Sequence, residues 1–204
     1  MYKQVEMSGL LFRTAQPEDA AAVNLLVADG RRTYTSPEHG VDENWQQNMY
    51  SRLTSIPAIW RCARDIVAAR NIPGKNLFVV AEDQDQQLQA VISADIHPFT
   101  EHGGNGEMVR EINRLFVCRG LRKMGVGRRL LSEYLDWEHQ PLQPQLPTVV
   151  AVVDYNKPAR RLYELHGFDD IPDSQFEHDG LPLLWMRLNP NAQPDKRIQE
   201  GNNI

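Results

Sequence analysis

The chain alternates between short, dense apolar runs and longer segments in which apolar residues recur every three or four positions. Short apolar runs bounded by Gly, Pro or polar clusters are typical of β-strands, and the longer periodicity is typical of amphipathic helices. The runs predict strands over 10–13, 77–81, 87–94, 109–117, 148–153 and 183–188. A polar segment after the second of these runs and an Asp-Gly pair before the last one predict hairpin turns.

Four helical segments lie between these strands. The first is predicted to end at Gly30, and the second covers roughly 42–70 with an interruption near Pro57, which cannot donate a helical hydrogen bond. The fourth opens with the capping residue Asn156 and a first-turn proline, and Gly167 closes it. The third presents one apolar stripe, formed by Val126, Leu130, Leu131, Tyr134 and Leu135.

The order strand, helix, strand over 109–153 forms one crossover unit, so its two strands are expected to be parallel. The second of them, at 148–153, has no polar alternation and fits a central position that is buried on both faces. The hairpins favour antiparallel pairing elsewhere. We therefore predict an α/β (α+β) domain over 10–190, with a mixed, mostly antiparallel sheet of six to seven strands flanked by helices, and an unstructured polar tail over 191–204.

The most informative motif joins the strand 109–117 to the third helix. The first amide groups of a helix lack intrahelical partners and lie at the positive end of its dipole, so a glycine turn there favours an anion such as a phosphate. No Gly-Lys-Ser/Thr of a Walker loop follows, and the third glycine of the dinucleotide fingerprint is missing, which disfavours a nucleotide-binding domain. The motif reads Arg122-Lys123-Met124-Gly125-Val126-Gly127-Arg128.

A second block follows on the fourth helix, and the two blocks together resemble the GNAT family of acyl-CoA N-acyltransferases. This block reads Asn156-x-x-Ala159-x-x-Leu162-Tyr163-x-x-x-Gly167-Phe168. The opening from Phe12 to Ala20 is similar to the first strand and helix of the family. The resemblance covers about 10–190, and it implies the family's fold with a parallel strand pair that splays apart, as well as acetyl-CoA as the co-substrate.

The resemblance also implies which residues bind the cofactor. The backbone amides of Arg122 to Arg128 would hold the CoA diphosphate, because glycine lets a phosphate approach the main chain. Asn156 is expected to cap its helix, and in some members of the family the matching Asn also reaches the cofactor arm. The splayed strand would pair its main chain with the pantetheine arm, while its side chains pack in the core, at Leu115, Phe116 and Val117.

Arginine side chains flank the glycine turn. Arginine suits phosphate by charge and by geometry, so at least one of them is expected to assist the CoA phosphates. The alternative is a solvated helix start. The residues concerned are Arg122, Arg128 and Arg129.

Two residues are candidates for proton transfer. The resemblance implies that the Tyr163 hydroxyl protonates the departing CoA thiolate, and packing on an apolar helix face is the alternative for this side chain. Glu111 occupies the strand position at which histone-type members carry their general base, and a partly apolar cleft would make its carboxylate a better proton acceptor. The alternative for Glu111 is an exposed strand carboxylate, with water as the base. Glu107 and His102 are weaker candidates for the general base.

Composition limits the partners. Apolar residues make up 41% and charged residues 24% of the chain, as in ordinary globular proteins, and a net charge of -5 without a clustered basic face disfavours nucleic acid. No apolar run has the length of a signal peptide or of a membrane span, so we expect a cytoplasmic protein without membrane contact. Cys62 and Cys118 are far apart and the six histidines are scattered, so neither a disulfide nor a metal site is expected.

These observations favour an acetyl-CoA-dependent N-acetyltransferase that acts on a primary amine of a small molecule or peptide by direct attack. The alternative is a non-catalytic domain of the same fold that binds acyl-CoA as a sensor or interaction module. The acceptor site is expected to be shaped by 31–60, with Trp45 and Trp60, and by the loops 98–108 and 170–182. Homodimers are common in the family.

Overall fold

The computed structural model describes residues 5–7, 9–33, 41–71, 77–100, 104–138 and 146–191. Five helices lie in these ranges: α1 (Ala20–Arg32), α2 (Glu43–Thr54), α3 (Ile56–Asn71), α4 (Val126–Glu138) and α5 (Lys157–Leu165). Nine strands accompany them: β1 (Val5–Met7), β2 (Leu10–Thr14), β3 (Leu77–Glu82), β4 (Leu88–Pro98), β5 (Met108–Val117), β6 (Thr148–Val153), β7 (Phe168–Asp170), β8 (Phe176–His178) and β9 (Leu181–Leu188). The predicted tail lies outside the described residues from position 192 on.

The interruption predicted near Pro57 is confirmed. Ser55 has extended backbone between α2 and α3, and its hydroxyl oxygen accepts a hydrogen bond of 3.4 Å from the amide of Ala58. Pro57 lies in the first turn of α3, where no amide hydrogen is required. Ser55 thus ends one helix and caps the next.

The prediction that Gly30 ends the first helix is wrong, because α1 continues to Arg32. An ideal Cβ at Gly30 would lie 2.3 Å from Cδ1 of Phe116, so the absence of a side chain lets α1 pack directly on this ring. A glycine late in a helical pattern looks the same in sequence whether it ends the helix or serves such an approach.

Contacts within the chain group the fold into two compact units, and β4 and β5 contribute residues to both. The first unit comprises the residues up to Ser93 together with Arg114–Leu130. Its strands follow the order β1-β2-β3-β4-β5, and the β1–β2 and β2–β3 pairs are antiparallel. Its core joins α1, α3 and the inner strands through residues that include Val23, Val27, Cys62, Ile66, Phe78, Val80 and Val91.

The second unit comprises Ala94–Asn113 and the residues from Leu131 on. Its strand order is β4-β5-β6-β9-β7, with β8 also paired to β9. The β5–β6 pair is parallel, as the crossover unit predicted, and the pairs of β9 with β6, β7 and β8 are antiparallel. Its core cluster contains Phe99, Val109, Val149 and Trp185.

The predicted fold class is confirmed: the strands are mostly antiparallel, one pair is parallel, and helices accompany them. The predicted number of strands was six to seven, whereas the described residues contain nine. A strand that begins at Phe168 was predicted as the start of the last hairpin, so the difference arises from β1 and β8, whose three residues each are too few to produce an apolar run. Among the helices in the described part of the chain, none is both long and apolar enough to cross a membrane.

The contact between Gly30 and Phe116 generates a stability prediction. Gly30→Ala should destabilise the fold by about 1 kcal/mol, because overpacking against the ring costs roughly 1–3 kcal/mol and outweighs the gain in helix propensity of about 1 kcal/mol. Gly120→Ala is the matched control, since a Cβ at Gly120 meets nothing within 4 Å. Urea denaturation measures both variants, and a Gly30→Ala variant as stable as wild type would contradict the prediction.

Candidate active site

A cleft of about 690 Å³ lies in the first unit, at the end of β5. Its wall is formed by the C-terminal part of α1, by Gln46 of α2, and by the chain that leads from β5 into the glycine turn. Three arginines and one aspartate give this wall an excess of positive charge, which suits an anion. The charged lining residues are Asp29, Arg32, Arg119 and Arg122.

The residues predicted to pair with pantetheine form the last part of β5. Leu115, Phe116 and Val117 are half-buried, and Val117 lines the cleft. The ring of Phe116 packs against the first unit's core and against Gly30. The predicted core role of this side chain is therefore confirmed, and the pairing of its main chain with a ligand stays a prediction.

The ladder between β5 and β6 ends early. It contains two residue pairs, Arg110↔Thr148 and Glu111↔Val149. β6 nevertheless continues to pair with β9 as far as Val153↔Leu183. From Ile112 on, the main chain of β5 is no longer part of the parallel ladder, as a splayed strand pair requires.

The glycine turn alternates in backbone conformation. Lys123 and Gly125 have φ values of 64° and 83°, whereas φ of Arg122 is -68°. The amides of Arg122 and Met124 close the turn through hydrogen bonds of 3.4 Å to the carbonyl oxygens of Arg119 and Leu121. The first hydrogen bond of α4 runs from the amide of Arg129 to the Gly125 carbonyl at 2.9 Å, so the amides of Val126 and Gly127 precede it.

The space beside Gly125 is open. An ideal Cβ at Gly125 has no heavy atom within 4 Å, so glycine is needed here for its positive φ and leaves the main chain open. Lys123 and Met124 are exposed, while Gly127 and Arg128 are half-buried in the first turn of α4. The prediction that this turn binds an anion thus agrees with its conformation, although no ligand tests it.

Arg122 has protein partners on two elements. Its Nε donates to the Val117 carbonyl at 3.0 Å, and its Nη1 donates to Oγ1 of Thr33 at 2.6 Å. The side chain therefore joins the end of β5 to the residue that follows α1. Its predicted assistance to the phosphates stays a prediction.

Glu111 lies at the point where the parallel ladder ends, and its carboxylate has a neighbour that the sequence did not indicate. Nε2 of His97 lies 2.7 Å from Oε2 of Glu111. Asp95 Oδ1 lies 4.0 Å from the same nitrogen, and Asp95 Oδ2 accepts a hydrogen bond of 3.0 Å from Asn113. A signal was present in the alternation of Asp95 and His97 on one face of β4, but only the register between β4 and β5 brings Glu111 opposite His97.

The environment of His97 favours its protonated form. Partial burial by itself lowers the pKa of His97, but hydrogen bonds to the Pro98 carbonyl and to Glu111, and the charges of Glu111 and Asp95, raise it above its ordinary value. The side chains of His97 and Glu111 are 37% and 22% exposed, so protons exchange readily with water.

The donor atoms of Asp95, His97 and Glu111 lie within 4.8 Å of one another. Two ligands at about 2.1 Å from a tetrahedral metal ion would be about 3.4 Å apart. The separation of 2.7 Å between His97 and Glu111 is instead that of a charge-assisted hydrogen bond. The geometry therefore favours a proton between these two groups.

Two further predicted residues lie on α5. Asn156 caps this helix through its side-chain oxygen, which accepts from the amide of Ala159 at 3.4 Å, so the predicted capping role is confirmed. Tyr163 is 5% exposed, and its ring lies 5.5 Å from that of Phe168. Tyr163 thus packs, as the alternative stated, while its role as an acid and the cofactor role of Asn156 stay predictions.

The weaker candidates are accounted for in part. Glu107 accepts a hydrogen bond of 2.8 Å from Arg187, which engages its carboxylate in an ion pair. His102 lies outside the described residues, as do the parts of the predicted acceptor region at 34–40 and 101–103. Trp60 is 72% exposed on α3.

Comparison with known proteins places this geometry in context. Residues 35–168 match the sequence profile of the acetyltransferase (GNAT) family. No protein of curated function matches the sequence significantly. Solved structures with a similar fold include the PaiA N-acetyltransferase from Thermoplasma acidophilum in complex with coenzyme A, at 17% identity and a TM-score of 0.65 over 90% of this chain and 99% of that one.

Two other solved structures share the fold. The ribosomal-protein-S5-alanine acetyltransferase from Vibrio fischeri is 13% identical, with a TM-score of 0.62 over 94% of this chain and 100% of that one. Arabidopsis thaliana NAA60 in complex with a bisubstrate analogue is 16% identical, with a TM-score of 0.56 over 87% and 96%. At identities this low, the likeness shows the fold and does not identify a substrate.

The two thiols generate a labelling prediction. Cys62 is 1% exposed, and burial, partly offset by Arg114, raises the pKa of its thiol to about 11, so only about one molecule in a thousand is thiolate at pH 8. Cys118 lines the cleft, where its thiol donates to Oε1 of Gln89 at 2.8 Å. A disulfide reagent should therefore modify Cys118 first, and Cys118→Ser should abolish the fast phase. A fast phase that survives this substitution would contradict the prediction.

Proposed function

We propose that this chain, which belongs to the acetyltransferase (GNAT) family, transfers an acetyl group from acetyl-CoA to a primary amine by direct attack. The nitrogen–carbon bond forms as the carbon–sulfur bond breaks, and its electron pair passes to the sulfur. The protein binds and orients both substrates and moves protons, and most of the acceleration comes from positioning and electrostatics.

The open glycine turn is the observation that carries the proposal. The positive φ of Lys123 and Gly125 and the free space at Gly125 support a turn that offers amide donors to a diphosphate. The neighbouring cleft adds the positive charge of Arg119 and Arg122. In this proposal the segment from Arg122 to Arg128 holds the diphosphate, chiefly through the amides of Val126 and Gly127 that precede the first hydrogen bond of α4, and the arginines supplement them.

The early end of the β5–β6 ladder supports the second part of the binding site. A strand edge that is no longer paired offers main-chain donors and acceptors to a ligand, as an added strand would use them. In this proposal the main chain of Leu115, Phe116 and Val117 pairs with the amide groups of pantetheine, and Asn156 contacts the same arm. The loss of these contacts would weaken binding without changing the chemistry.

Tyr163 and Glu111 carry the proton transfers in this proposal. The Tyr163 hydroxyl protonates the CoA thiolate, because a phenol with a pKa of about 10 can donate to a thiolate whose conjugate acid has a pKa near 8.5 when the two are in hydrogen-bond contact. Glu111, directly or through water, takes a proton from the amine.

The acceptor class is a primary amine on a small molecule or a peptide. The net charge of -5 favours cationic amines over anionic acceptors. A panel with an alanine N-terminal peptide, a lysine peptide, spermidine and benzylamine samples this class. Release of CoA thiol with any of them supports the enzyme, whereas tight acetyl-CoA binding without release supports a sensor domain.

Gly125→Ala tests the cofactor site. Its Cβ would obstruct the diphosphate, so we expect acetyl-CoA to bind at least about tenfold more weakly, which corresponds to about 1.4 kcal/mol. Gly9→Ala is the matched control, because Gly9 also has a positive φ and its Cβ would have only one neighbour, at 3.9 Å. Isothermal titration with acetyl-CoA measures both variants, and equal affinity in the two would sink the assignment of this turn.

Tyr163→Phe tests the acid role, because it keeps the ring beside Phe168 and removes only the hydroxyl. We expect kcat to fall by about 100-fold or more, with acetyl-CoA affinity within about twofold of wild type. Tyr134→Phe removes a hydroxyl from a tyrosine that is 0% exposed, so it controls for the loss of a buried hydroxyl. Unchanged turnover in Tyr163→Phe would leave this side chain with its packing role alone.

A further inference from the structure

The hydrogen-bond partners of the His97 ring determine which of its two nitrogens carries a hydrogen. Nδ1 of His97 lies 3.0 Å from the carbonyl oxygen of Pro98, which can only accept, so Nδ1 carries a hydrogen. In a neutral imidazole with this tautomer, Nε2 holds a lone pair. That lone pair faces Oε2 of Glu111 at 2.7 Å.

A lone pair and an ionised carboxylate at this distance repel each other unless a proton lies between them. His97 and Glu111 therefore hold one proton together, and the pair that has lost this proton can accept another. Among the described residues, the titratable groups that act on His97 are Asp95 on β4 and Glu111 on β5, and both favour the protonated form. The raised pKa of His97 agrees with this geometry.

Resting on the acetyl transfer proposed above, we propose that His97 and Glu111 act as one proton-accepting pair for the acceptor amine. Glu111 meets the amine, directly or through one water molecule, and His97 acts through Glu111 as a positioning residue that holds the proton. A carboxylate alone is a weak base near neutral pH, with an ordinary pKa of about 4.3. The second group makes the pair basic enough to compete for an amine proton.

The place of the pair in the fold supports this role. Glu111 is the last residue of β5 that pairs with β6, so its side chain projects where the parallel ladder ends. The half-exposed ring of His97 gives the proton a way out to water.

The protons balance. A primary ammonium group loses two protons when it becomes an amide. The pair takes one of them from the nitrogen and releases it to water through His97, and the second passes from the nitrogen to water as the carbon–sulfur bond breaks. The sulfur receives a proton from Tyr163, which regains one from water, so one proton is released for each acetyl group transferred.

Three variants test the pair. His97→Gln keeps a hydrogen-bond donor for Glu111 but does not titrate, and Glu111→Gln keeps the shape but removes the charge. Asp95→Asn is the graded comparison, because its oxygen lies 4.0 Å from Nε2 of His97, beyond hydrogen-bond distance. Wild type, Glu111→Gln and Asp95→Asn are titrated between about pH 5 and 9 by NMR of the His97 imidazole. For wild type and all three variants, kcat and KM are measured over the same range with the amine that releases CoA most rapidly.

In wild type, kcat should rise with pH through the pKa of His97 read by NMR, because the deprotonated pair is the active form. His97→Gln should lower kcat at pH 7 by about tenfold or more, remove this rise, and leave the KM for acetyl-CoA unchanged. Glu111→Gln should lower the pKa of His97, and Asp95→Asn should lower it less. The inference is overturned if His97→Gln keeps the wild-type pH profile, or if the pKa of His97 is the same in Glu111→Gln as in wild type.

The NMR titration separates this inference from the proposed function. If the imidazole shows the raised pKa and its dependence on Glu111 but no amine in the panel releases CoA, acetyl transfer fails and the proton pair stands without its role. If CoA is released and the His97 variants behave as wild type, the function stands and the pair is overturned.

Discussion

The parallel pairing of β5 with β6 persists for two residue pairs, and the proposed site depends on where it stops. The main-chain donors and acceptors of a parallel strand normally form hydrogen bonds with the neighbouring strands. Here β6 keeps β9 on its other side as far as Val153, so it remains anchored while its ladder with β5 ends at Glu111. The residue at this boundary carries the carboxylate, and the segment beyond it carries the main chain proposed to hold pantetheine.

The sequence predicted best those elements whose conformation is determined by residues close to one another along the chain. The apolar stripe from Val126 to Leu135 is buried throughout, because the 3.6-residue period by itself determines which face of α4 is apolar. The ends of α5 were equally readable, since Asn156 caps it and Gly167 follows it with a φ of 86°. The glycine turn belongs to this class, because a positive φ at Gly125 is a property of the local backbone.

The features that the sequence did not reveal depend on partners far along the chain. In the sequence, Gly30 is typical of a helix end, and only the structure shows that Phe116 packs against it. His97 reads as a scattered histidine until the register of β4 and β5 sets it opposite Glu111. A shift of one residue in that register would turn one of the two side chains to the other face of the sheet. Pattern reasoning therefore located the carboxylate but not its partner.

Arg122 links two elements that serve different parts of the cleft. Its guanidinium bridges the carbonyl that ends β5 and the hydroxyl of Thr33, just past α1. The planar guanidinium thereby joins the residue that follows α1 to the last residue of β5 through two hydrogen bonds. One side chain therefore joins the two walls of the cleft, and loss of Arg122 would remove the hydrogen bonds that hold them together.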